Sequence, residues 1–175
     1  MFLVSSVSAN KPQEAITHLG VLTDVISTCE ATLAAWLDIE ANDPVDRLAF
    51  ASALTAEMPN EEAAIALVSE LLPGLPLGDD AASDLIFQIN RRRPLHQRPD
   101  ITINRVAKWQ TTKVMLIRLE GDQLVTPQYS TDALRLDVDI NTVAGGLASV
   151  KSSDYFSIVK ELITLGEEVA QRGDV

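Results

Sequence analysis

Leu134, Leu136, Val138 and Ile140 alternate with Arg135, Asp137, Asp139 and Asn141. A period of two belongs to an extended strand with one buried and one wet face. Immediately upstream, Val114 to Leu119 and Leu124 to Tyr129 flank Glu120-Gly121-Asp122-Gln123. This arrangement reads as a hairpin turning at Gly121-Asp122. Earlier strands are expected over 84–91 and 101–107. Four or five short-range strands joined by tight turns predict an antiparallel meander rather than a parallel sheet.

On either side of this stretch the period lengthens. Pro12 suits a first helical turn, and Glu14 complements the positive end of the helix dipole. Ala15, Leu19, Leu22, Ile26, Cys29, Leu33 and Trp36 then recur at alternating spacings of four and three, a heptad-type stripe. The expected helix over 12–39 would be roughly 40 Å long, so it must bend or project toward a partner. Asp43-Pro44 restarts a helix expected over 44–57, with Leu48, Ala51, Leu54 and Met58 as its apolar face. Asn60, with Glu61 and Glu62 behind it, announces a third helix that ends at Pro73-Gly74. After Gly145-Gly146, Ser152 or Ser153 caps a last helix. Its apolar positions Phe156, Val159, Leu162, Ile163, Gly166 and Val169 form a face broad enough to lie on a sheet. The expected fold is α+β in a single domain over 1–175. It has N-terminal helices in 10–72, a linker over 73–83, an antiparallel β-meander of four to five strands over 84–141, and a C-terminal helix over 152–172 packed on the sheet.

At 175 residues, with 46% hydrophobic and 22% charged residues, the chain is long enough to bury a core without staples. Cys29 is its one cysteine, so no intrachain disulfide and no cysteine-based metal site can form. The first nine residues lack a basic n-region, and no apolar run reaches membrane-span length. The expectation is a cytoplasmic protein with no membrane association and no cofactor.

The net charge of −11 is uneven: residues 1–90 carry −12, residues 91–118 carry +7 and residues 119–175 carry −6. The overall field repels nucleic acid, so any anion binding must be local. The basic segment holds Arg91, Arg92, Arg93, His96, Arg98, Arg105, Lys108 and Lys113, with Trp109 among them. Arginine forks suit phosphate or carboxylate, and an indole can stack a base. The segment is thus an anion- or partner-binding candidate, against the alternative of a solvated loop answering the acidic helices.

Other constellations carry less. Asp137 and Asp139 share a strand face, as a hard-cation site would need, but Thr142 and Ala148 stand where a calcium loop requires glycine and a bidentate acid. Arg135 is the expected partner of either carboxylate, and no metal is predicted. His18 and Cys29 lie roughly 16 Å apart along a helix, too far for a nucleophile and its base. Cys29 reads instead as a small core residue. No phosphate loop, nucleophile elbow or dinucleotide fingerprint is present. The favoured function is therefore a non-enzymatic, adaptor- or chaperone-like interaction protein. It would self-associate into a homo-oligomer through Leu19, Leu22, Ile26, Cys29, Leu33 and Trp36 and meet a protein partner. The alternatives are nucleic-acid or other polyanion binding through 91–113, and a divergent small-molecule enzyme.

Overall fold

The computed structural model describes residues 3–5, 18–40, 45–77, 82–116, 119–120, 123–124 and 129–173. In chain order these form β1 (Leu3–Ser5), β2 (His18–Val21), α1 (Leu22–Glu40), β3 (Ala49–Met58), α2 (Glu61–Leu71), β4 (Ile86–Pro94) and β5 (Thr102–Leu116). A small ribbon of β6 (Leu119–Glu120) and β7 (Gln123–Leu124) follows, then β8 (Tyr129–Thr142) and α3 (Tyr155–Arg172). One antiparallel sheet runs β2-β1-β3-β8-β5-β4. The fold is α+β, with a C-terminal helix on an antiparallel sheet.

The alternating segment around Leu136 becomes β8, the centre of the sheet. It pairs with β3 from Asp132↔Met58 to Asn141↔Ala49 and with β5 from Tyr129↔Leu116 to Thr142↔Ile103. Leu134, Leu136, Val138 and Ile140 are buried on one face, with Ile103, Ala107 and Trp109 beside them from β5 and Leu54 and Ala56 from β3. α3 packs across β8 and β3, α2 covers β8, β5 and β3, and α1 lies against α3 and β2. The three helices share this one buried core.

Four expectations are corrected. Residues 44–57 were expected as a helix, yet Ala49–Met58 is a strand. Its alanines favour a helix locally, but Phe50, Ser52, Leu54, Ala56 and Met58 also alternate, and pairing with β8 outweighs propensity. The first helix, expected over 12–39, begins only at Leu22, because His18–Val21 is a strand containing Gly20 at φ +129; residues 11–17 lie outside the described set. The strands expected over 101–107 and 114–119 join in one strand, β5, as far as Leu116; of the hairpin expected beyond it, β6 and β7 pair Leu119↔Leu124 and Glu120↔Gln123, while 117–118 and 125–128 lie outside the described residues. The expected turn at 121–122 lies outside the described residues. Finally, the sheet is not a plain meander. β4, β5 and β8 follow one another, but β3 lies beside β8 rather than β4, which gives a Greek-key connection routed through α2.

The helix ends follow local chemistry in one case and not in the other. Asn60 Oδ1 accepts from the Ala63 N–H at 2.9 Å and caps α2 as its sequence predicts. α3 instead opens through a 3-10 turn over Ser152–Asp154 with no side-chain cap bond, so neither Ser152 nor Ser153 plays the expected part. At its far end Gly173 has φ +74, and a Cβ there would meet the Leu71 carbonyl oxygen at 1.8 Å. Only glycine lets α3 finish against the end of α2. No helix among the described residues is long and apolar enough to cross a membrane.

Candidate functional site

The basic segment does not fold into one patch, because strand alternation divides it between two faces. Trp109 points into the core with none of its surface exposed, its ring 6.0 Å from that of Phe87 and tilted by 33°. It is unavailable to stack a base, and the expectation of an exposed indole is corrected: a large apolar ring at an odd β5 position is core. Arg105 shares that face and is 2% exposed. Lys108 emerges on the uncovered face, in register with Asp137. Lys113 places Nζ 2.7 Å from Asp132 Oδ1, which holds the ammonium pKa above its ordinary value.

In the β4–β5 loop, Arg98 is held internally. Its guanidinium meets Asp100 at 2.8 Å and Asp154 at 3.4 Å. The hydrogen bond from Arg98 holds the Asp100 carboxyl below its usual range. The loop is further pinned to α3, as the backbone N–H groups of His96 and Gln97 donate to the Glu161 carboxylate at 2.5 and 3.3 Å. An acid from the same chain thus takes the amides that a bound anion would use. The exposed members of the segment are Arg91, Arg92 and Arg93 at the end of β4, with His96 beyond them.

Two grooves flank this edge on the helix side. One, of about 790 Å³, lies between the loop and α3 and is lined by Arg93, His96, Ser157, Lys160, Glu161 and Glu168 among others. Serine, histidine and glutamate are the types a nucleophilic relay uses. Here, however, Ser157 Oγ donates to the Asp154 carbonyl at 2.8 Å, and Glu161 is engaged by the loop amides. The other groove, of about 440 Å³, is lined by Leu71, Leu72, Leu75, Phe87, Arg91 and Arg172 among others.

The heptad stripe is also divided. Leu22 and Ile26 are buried in the chain's own core, and Leu33 packs at its margin. Cys29, expected in the core, is exposed, and Trp36 is 53% exposed. The Leu19 side chain lies outside the described set. Where α1 meets α3, burial and the nearby Glu30 push the Glu167 carboxyl above its usual range.

The uncovered face carries a polar network that the sequence did not single out. Asn90 Nδ2 and Arg92 Nε both donate to Asn104 Oδ1, Asn104 Nδ2 donates to Asn141 Oδ1 at 3.0 Å, and Asn141 Nδ2 donates to Asp139 Oδ1 at 2.8 Å. Arg47 closes the row at 3.6 Å from Asp139. Arg135 pairs with Asp137 at 2.8 Å, as expected. The alternation of β8 already put Asp139 and Asn141 on one wet face, but strand order had to be known before Asn90 and Asn104 could be joined to them. No group of three or more metal-ligating side chains occurs among the described residues. Compared with known families, curated proteins and solved structures, the chain matches no family model, no curated protein and no solved structure.

Proposed function

We propose that this chain is a non-enzymatic interaction protein that self-associates through its N-terminal helix and offers its sheet to a protein partner. The observation that supports this reading most is Trp36, an indole 53% exposed on α1, since tryptophan left in water is enriched where partners dock. With Leu22 and Ile26 consumed by the core, the contact surface on α1 consists of Cys29, Leu33 and Trp36. The uncovered sheet face adds to the same reading. Division of the basic segment between two faces counts against a continuous track for nucleic acid, and the engaged Ser157 and Glu161 count against a hydrolytic relay.

The test is Trp36→Ala. The variant should keep stability within about 0.5 kcal/mol, because the side chain is largely exposed, while lowering the mass measured by light scattering. An unchanged mass would remove this helix face from the interface. Ile26 cannot serve as the probe, since a charge there would disrupt the protein's own core.

A further inference from the structure

β4 is the last strand of the sheet, and no described residue pairs with its outer side. Two backbone bonds set the phase of its ladder: Thr111 N–H to Leu85 C=O at 3.0 Å, and Leu95 N–H to Ile101 C=O at 2.9 Å. In an antiparallel pair such residues exchange both bonds and alternate with residues that point away. The odd-numbered residues of β4 therefore turn their amides toward β5, and Ile86, Gln88, Asn90 and Arg92 turn theirs outward. Pro94 ends this outward row because it has no N–H to offer. An open row of that length is a template for one more strand.

The strand also has two chemical halves. Ile86, 67% exposed, Phe87 and Ile89 form an apolar half, and Arg91, Arg92 and Arg93 form a cationic half. On the helix side the 440 Å³ groove reaches Phe87 and Arg91, and the 790 Å³ groove reaches Arg93. Phe87 and Arg93 are six residues apart, about 20 Å along a strand. An extended chain lying beside β4 would therefore pass both grooves with alternate side chains.

We propose that β4 takes up an extended acidic segment of another protein as an added antiparallel strand. Its carboxylates would lie opposite Arg91–Arg93 and its apolar side chains beside Phe87. Charge selects this occupant. Arg92 and Arg93, both exposed, stand at one edge of a chain whose net charge is −11, and an acidic strand brings carboxylates to them. In a two-fold pairing of β4 with a second copy, the arginines of each copy would fall beside the neutral half of the other and gain no counter-charge. The proposal rests on the interaction-protein reading above and names the partner and the edge that receives it.

The test uses the full chain and a fluorescein-labelled peptide of three glutamates followed by alternating valine and threonine, read by anisotropy. Binding is expected, weakening as salt is added. Gln88→Pro should lower affinity about tenfold or more, because it deletes an outward N–H and leaves the bonds to β5 intact. Arg92→Glu combined with Arg93→Glu should lower it similarly. A folded Gln88→Pro variant that binds as well as the parent would overturn strand addition. If Gln88→Pro fails to fold, the arginine pair decides, and unchanged affinity there overturns the proposal. Equal binding of single-stranded DNA would mark a general anion patch and also overturn it, as would a peptide-free dimer abolished by Gln88→Pro, which would make a second copy the occupant. Trp36→Ala should leave peptide affinity unaltered, so failure at β4 and failure of self-association through α1 are read separately.

Discussion

On the face of the sheet that the helices cover, β5 and β8 present Ile103, Ala107, Trp109, Leu134, Leu136, Val138 and Ile140. On the other face the same two strands present Asn104, Lys108, Gln110, Arg135, Asp137, Asp139 and Asn141; hydrogen bonds join Asn104 to Asn141 and Asn141 to Asp139, and Arg135 pairs with Asp137. The alternation is identical, but the energetics are not. Burial of apolar area on the covered face scales with the carbon removed from water. Ion pairs in solvent on the open face return little. Stability is thus concentrated on the covered side.

Substitutions on each side should break or sharpen this contrast. The largest effect is expected for Trp109→Ala, which empties the centre of the covered face. Unfolding in urea should show a loss of about 3–5 kcal/mol, and a loss under about 1 kcal/mol would contradict the placement of the core. A smaller effect of opposite sign is expected at the margin of the covered layer, for Glu167→Gln. The folded-state pKa of Glu167 is raised, so its cost is absent well below the ordinary glutamate range, develops as pH rises through the raised value and is complete at neutral pH. The variant should be more stable than the parent at pH 7, by a small margin because the carboxyl is largely solvated, and no more stable at about pH 3. A gain that persists in acid would assign the effect to something other than charge. The smallest effect is expected for Asp137→Ala on the open face, within about 0.5 kcal/mol of the parent. A loss of several kcal/mol would mean that this face, too, carries the fold.

The edges of the sheet differ in the same way as its faces. Beyond β3 the sheet continues into β1 and β2, whereas among the described residues β4 ends it, with three arginines in its last half. Edges left open are normally guarded by charge or proline. Here Arg91–Arg93 and Pro94 guard one end, while Ile86 to Ile89 leave the other apolar. That asymmetry distinguishes a receiving edge from a merely protected one.

Much of the architecture was legible wherever a periodicity was unambiguous. β8 follows from its strict alternation, α2 from Asn60 and the glutamates after it, and α3 from its broad apolar face. β3 was not legible, because a run rich in alanine satisfies a helical stripe and an alternating one equally, and only the register with β8 separates them. α1 shows a different limit. Its spacing is that of a heptad seam, yet spacing does not say whether the seam meets α3 of the same chain or another molecule. The structure gives Leu22 and Ile26 to the former. The basic segment was visible as a charge excess, but the burial of Trp109 and Arg105, the pairing of Arg98 with Asp154 and the hold of Glu161 on the loop all depend on residues far away in sequence.

By itself, then, the amino-acid sequence determined the kind of element wherever one periodicity prevails, as in β8, α2 and α3, together with the face of each that must leave water and the position of the positive charge, because these are properties of neighbouring residues. The tertiary structure alone decided which strands adjoin, that β4 ends the sheet, and which arginines reach solvent. Those outcomes depend on contacts between segments tens of residues apart, formed when burial of the shared apolar face outweighs local preference.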